Sequence, residues 1–156
     1  MEIEVVTGKP NTFSGDERRR FFELVELGGE VDRIALQQNV ENARALVFAR
    51  SSGRLLGIAA LKRPKLTYRK KIAEKSGFAL DSDLYPFELG YVFVQQDARG
   101  SGLSHRLVAN MLDQTDGKRV FATARTDNLG MLRTMDRAGF AQVGNDYPGR
   151  RAGTFI

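Results

Sequence analysis

The sequence predicts a mixed α/β fold built around one central sheet. Three observations point to it. β-prone runs alternate with runs of helical spacing, glycines and capping residues punctuate the joins, and no repeat, low-complexity tract or linker interrupts the series. At 156 residues the chain fits one domain, residues 1–156, and is long enough to bury a core without disulfides or metals.

Residues 2–6 alternate, with Ile3 and Val5 on one side, as a strand does. Ser14-Gly15-Asp16-Glu17 reads as a capping box, in which Ser14 takes the Glu17 amide and the Glu17 carboxylate reaches back. Phe21, Leu24, Val25 and Leu27 continue at helical spacing until Gly28-Gly29 stops the helix. A second helix is expected from Val31 to Val40. Ala45–Ala49 and Leu55–Leu61 form a hairpin around Ser51-Ser52-Gly53-Arg54. Leu66 to Lys75 is a helix inside a longer connection that ends at Pro86. Phe87–Val94 is a strand, and Gly102–Asp113 a helix with Leu103, Leu107, Met111 and Leu112 on one face. Arg119–Arg125 is a strand, Asn128–Ala138 a helix stopped by Gly139, and Phe140–Val143 the start of another strand. Pro148-Gly149 then turns the chain toward Thr154-Phe155-Ile156, which falls partway into a strand. Two readings of that end stay open: a truncation, or a sheet edge completed by a partner subunit in a homodimer.

Composition excludes several classes. There is no cysteine, so disulfides and thiolate metal sites are ruled out, and the single histidine, His105, rules out a histidine cluster. No metal is expected, and a cytoplasmic location is. The start has no basic segment leading into an apolar run, and nowhere do ~18 apolar residues follow one another, so no membrane partner is expected. The net charge of +5 is local: Lys62, Arg63, Lys65, Arg69, Lys70, Lys71 and Lys75 stand against Glu74 alone. Such a patch draws anionic partners or is simply a solvated helix face.

The chemistry concentrates in residues 87–108, where a strand runs through a glycine-containing loop directly into an amphipathic helix. That junction points unpaired amides at one spot with the helix dipole behind them, which makes an anion site. No lysine follows Gly102, so it is not a Walker A loop, and His105 stands where a dinucleotide fingerprint needs glycine. Val94-Gln95-Gln96-Asp97-Ala98-Arg99-Gly100-Ser101-Gly102-Leu103-Ser104 instead fits an R-x-x-G-x-[GA] loop after a V-x-P-x-x-R-G approach, with Gln96 for the proline and Ser104 for the last small residue. Downstream, Asn128 to Phe140 fits N-x-x-[AS]-x-x-x-Y-x-x-x-G-F, with Met131 at the small position and Met135 at the tyrosine.

Together these two motifs, covering roughly residues 87–143, resemble the GNAT superfamily of N-acetyltransferases. The resemblance implies a mostly antiparallel, splayed sheet flanked by helices, with residues 62–86 an insertion between the third and fourth strands. It implies acetyl-CoA as cosubstrate. The amides of Arg99, Gly100, Ser101, Gly102, Leu103 and Ser104 would hold its pyrophosphate, the backbone of Phe93 and Val94 would flank its pantetheine arm, and Asn128 would offer its side chain to that arm. Glu88 falls where histone-type members place a glutamate base, and strand alternation puts it on one face with Gly90, Val92 and Val94. The implied activity is acetyl transfer by direct attack on the thioester. The acceptor is a primary amine on a small molecule, a peptide or RNA, and the basic insertion suits an anionic one. A non-catalytic acyl-CoA sensor is the alternative, favoured by Met135. A Ser104-His105 hydrolase fails because neighbours on a helix diverge and no second histidine exists. A primary nucleic-acid role rests on the basic patch alone.

Overall fold

A computed structural model describes residues 2–29 and 32–155. Its elements are β1 (Glu4–Gly8), α1 (Gly15–Leu27), α2 (Arg33–Glu41), β2 (Ala45–Ser51), β3 (Arg54–Lys62), α3 (Leu66–Ser76), β4 (Phe87–Val94), α4 (Leu103–Leu112), β5 (Val120–Arg125), α5 (Leu129–Ala138), β6 (Ala141–Tyr147) and β7 (Arg150–Phe155). The capping box at the start of α1 forms in both directions, and Gly28 closes the helix. α2 starts at Arg33, with Asp32 as its cap; the expected start at Val31 lies outside the described residues. Ser52 (φ 51°) and Gly53 (φ 78°) turn the β2–β3 hairpin through two successive left-handed residues, the geometry that matches strand twist.

The seven strands form one sheet in the order β1-β2-β3-β4-β5-β7-β6, mixed but mostly antiparallel. α4 and α5 cover one face, over Val47, Leu56, Leu61, Leu89, Val120 and Ala122. On the other face α1 and α2 cover Leu46, Phe48, Ile58 and Ala60, while the segment around α3 covers Phe121. The last strand is not a sheet edge. β7 pairs with β5 on one side and β6 on the other, so Thr154 lies inside the sheet and the ground for a partner-completed edge there is gone.

β4 and β5 share only two register pairs, Phe87 with Val120 and Glu88 with Phe121, and then part. A bulge in β4 accompanies the parting. Ala60 faces Gly90 but Ile58 faces Phe93, so Ala59 alone opposes both Tyr91 and Val92. Tyr91 takes a left-handed φ of 53° to make room for the extra residue, and such bulges bend a strand and increase its twist. The bulge also corrects the expected alternation. Beyond Gly90 the faces exchange: Tyr91 and Phe93 pack with the α1/α2 cluster, while Val92 and Val94 turn toward α4. Val92 and Val94 therefore do not share Glu88's face.

The segment between β3 and β4 is structural as well as basic. Ile72, Leu80 and Tyr85 bury themselves against Phe121, closing the second half of the sheet. Arg69 is buried with them. Its guanidinium donates to the carbonyls of Pro64, Tyr85 and Pro86 and lies over the Phe121 ring. Lys62 is also drawn inward. The exposed charge of the patch therefore comes from Arg63, Lys65, Lys70, Lys71 and Lys75, not from all seven cations.

Candidate active site

The loop after β4 is built as an open cradle. One 3₁₀ turn over Gln96–Ala98 leads to Gly100 (φ 83°) and Gly102 (φ 77°), two left-handed positions where a Cβ would meet nothing within 4 Å. Gly102 precedes α4 and has no side chain to cap it. The first amides of α4 are consequently left to whatever approaches, with the helix dipole reinforcing an anion. Around them the loop is braced: Arg99 Nε donates to Val94 O (3.0 Å), its guanidinium lies 5.6 Å from the Phe93 ring, and Ser101 Oγ donates to Ala98 O (2.8 Å). Leu103 is buried as the anchor, and Ser104 meets Thr134 of α5, hydroxyl to hydroxyl, at 3.1 Å. Arg99 to Gly102 remain exposed.

Asn128 sits at the start of α5, where its Oδ1 accepts from Met131 N at 3.1 Å. Met135 is buried beneath that helix, against the core shared with α4. The tyrosines gather on the opposite face of the sheet.

There, Glu88 is 2% exposed. Lys62 Nζ lies 2.9 Å from its Oε1, and the Tyr68 hydroxyl donates to Oε2 at 2.7 Å. The Lys62 ammonium also stands over two rings, 4.6 Å from the centre of Tyr91 and 5.3 Å from that of Tyr68. Gly90 makes this possible, because a Cβ there would overlap the Lys62 side chain where it crosses β4. Burial works against the Lys62 charge, but Glu88 and Tyr91 outweigh it and hold the ammonium's pKa above the ordinary lysine value. Burial, and then the Glu88 charge, keep the Tyr68 phenol protonated far above its usual range. Tyr147, at the end of β6, is raised too, mainly by burial and partly offset by Arg150.

Among the described residues β4 has no strand partner on the β5 side from Leu89 onward, so its edge groups face the gap. The cradle stands at the far end of that edge and Glu88 at its start, on the α3 side. The geometry offers an extended ligand a strand edge to pair with, an anion site at one end and a carboxylate with two donors at the other.

The sequence singles out the loop and Glu88 as candidates but does not announce the side chains gathered around Glu88 and β4: Lys62, Tyr68, Tyr91 and Asn39, whose Nδ2 donates to the Tyr91 hydroxyl at 3.0 Å. Gly90 was the available signal, since a glycine inside a strand marks a bulge or a close approach, and here it marks both. Among the described residues no group of His, Asp and Glu is arranged to hold a metal.

The model of the acetyltransferase (GNAT) family matches residues 15–140. The chain belongs to the GNAT family. GNAT proteins of known structure share the whole fold. Escherichia coli ElaA superposes with a TM-score of 0.72 at 16% identity, covering 99% of this chain and 100% of that one. An acyl-CoA N-acyltransferase from Pseudomonas aeruginosa gives 0.72 at 16%, covering 99% and 100%. A GNAT-family acetyltransferase from Streptococcus agalactiae 2603 gives 0.72 at 16%, covering 99% and 95%. At such identities the likeness shows the fold. No curated protein matches the chain in sequence. Membership supports acyl transfer from an acyl-CoA to an acceptor, and among the described residues no helix is long and apolar enough to cross a membrane.

Proposed function

We propose that this GNAT domain, residues 1–156, moves an acetyl group from acetyl-CoA to the primary amine of an acceptor that carries negative charge. One observation carries the reading: the open edge of β4 runs from Glu88 straight to an uncapped helix start with room for a phosphate. In it the amides of Arg99, Gly100, Ser101, Gly102, Leu103 and Ser104 take the pyrophosphate, the edge at Phe93 and Val94 flanks the pantetheine, and Asn128 stands beside it. The thioester supplies an activated carbonyl carbon. The acceptor's neutral nitrogen attacks that carbon, the C–S bond breaks, and the thiolate takes a proton. Glu88, whose carboxylate Lys62 balances until then, accepts the acceptor's ammonium proton directly, through water or through Tyr68. Exposed Lys70 and Lys71 draw the anionic acceptor. A cytoplasmic setting suits both the cysteine-free chain and a reaction that consumes acetyl-CoA.

Titration calorimetry with acetyl-CoA and CoA, followed by thiol release over a panel of acidic, neutral and basic amines, tests this. Binding with release on acidic amines supports it. Binding without release on any amine supports the second reading, a non-turning acyl-CoA sensor, which two observations favour: Met135 buried where the family's tyrosine would stand, and Glu88 already paired.

A further inference from the structure

Three side chains stand in line on α3. Tyr68, Lys71 and Lys75 are spaced three and four residues apart, which sets them along one flank of the helix. The face beside them is buried through Arg69, Ile72 and Ser76. Tyr68 opens the line at the site, where its hydroxyl donates to Glu88 Oε2 at 2.7 Å. Lys75 closes it at β6, with its Nζ 6.0 Å from the ring centre of Tyr147. Both lysines are exposed. The one acid of the helix, Glu74, falls off this line, nearest by spacing to Lys70. The flank is thus a run of positive charge leading away from Glu88.

Its length decides what fits. Along the helix axis Lys71 lies ~4.5 Å and Lys75 ~10.5 Å beyond Tyr68, while an extended peptide advances about 3.3 Å per residue. A single amino acid whose amine meets Glu88 cannot also bring a carboxylate to Lys75. A peptide reaches both lysines with its third and fourth residues. We infer that the acceptor is an acidic polypeptide: its amine enters at Glu88 and Tyr68, and its acidic side chains lie along Lys71 and Lys75. This rests on the acetyl-transfer reading above and names the substrate of that site. The flank suits a polypeptide better than RNA. Its two aromatics, Tyr68 and Tyr147, are half-buried and carry ammonium groups over their rings, so neither presents an open face for a base to stack on.

The experiment follows acetyl transfer from acetyl-CoA by the full chain to four acceptors. Two are lysine-free pentapeptides whose one amine is the N-terminus, the first with Asp as its third and fourth residues and its twin with Asn there. The others are glycinamide and an oligoribonucleotide bearing a terminal alkyl amine. In the unaltered chain kcat/KM for the Asp peptide exceeds that for its twin about tenfold, through KM rather than kcat. Lys71→Ala and Lys75→Ala each raise the KM of the Asp peptide about threefold, the worth of one exposed ion pair. In the double variant the two peptides become equivalent, since the contacts that tell them apart are gone. Equal values for the two peptides in the unaltered chain, a preference that survives the double variant, or transfer to the oligoribonucleotide or to glycinamide ahead of both peptides overturns the polypeptide reading; because acetyl still moves, each spares the acetyl-transfer reading. No transfer to any of the four overturns both.

Discussion

Lys62 and Glu88 are register partners on β3 and β4, and their charged ends meet at 2.9 Å inside the protein. With Glu88 2% exposed, neither charge has much water to fall back on. Removing one partner leaves the other buried and uncompensated, which costs about 3–5 kcal/mol, whereas removing both with similar-sized neutral groups costs far less. Glu88→Gln is therefore expected to lower the unfolding free energy by roughly that amount, and Lys62→Met with Glu88→Gln to recover most of it. Denaturant titration of the three proteins measures this. Equal loss in the single and double variants would show that the pair is not coupled.

The same double variant separates stability from chemistry. If Glu88 takes the acceptor's proton, turnover falls roughly 10²–10⁴-fold in Glu88→Gln and stays low in the double variant, although the latter is stable again. Acetyl-CoA affinity should be near wild type in both. Recovery of turnover along with stability would assign Glu88 a purely structural part.

Alkali should unfold the chain through Tyr68. Its folded pKa lies far above the ordinary tyrosine value of 10.0, so the unfolded chain releases this proton first. Stability from such a group is fully present below the unfolded pKa and is lost as pH rises through the folded one. Lys62, raised above 10.5, acts in the same sense. Unfolding free energy is thus expected to fall above about pH 10, and less steeply in Tyr68→Phe. Tyrosinate absorbance should rise further on alkaline unfolding in the unaltered chain than in that variant. Identical slopes would contradict the burial of this phenol.

The fold and the open glycine loop before α4 were legible in the sequence because both are written locally. A capping box, glycine stops, a glycine-containing turn and a strand–loop–helix junction are each set by neighbours in the chain, and the structure places the elements within a few residues of the expected bounds. The interior of the site was not. Tyr68 reaches Glu88 across 20 positions and Asn39 reaches Tyr91 across 52, and nothing local announces such pairings. The alternation along Phe87–Val94 misled for a specific reason: one inserted residue at the bulge reverses every side chain after it. The basic run misled because composition counts charges without saying which are turned inward, as Arg69 and Lys62 are.

That distinction is testable. Lys70→Glu with Lys71→Glu changes exposed charge alone and is expected to raise the acceptor KM, more at low salt than at high, without altering acetyl-CoA affinity. Arg69→Met should instead destabilise the fold by about 2–4 kcal/mol, because three carbonyls lose their donor in the interior. Unchanged KM at every salt concentration would return the patch to a solvated surface.

The central claim is that an acyl-CoA is held by the uncapped start of α4, and the stabilisation acetyl-CoA gives to folding tests it most directly. With acetyl-CoA at one hundred times its dissociation constant, the unaltered chain should gain about 2.7 kcal/mol. Gly102→Val places a branched side chain at φ 77° in front of the amides. Measured against its own ligand-free transition, this variant should gain nothing at the same concentration. An equal gain in both proteins would mean that the loop from Arg99 to Ser104 does not hold the cosubstrate.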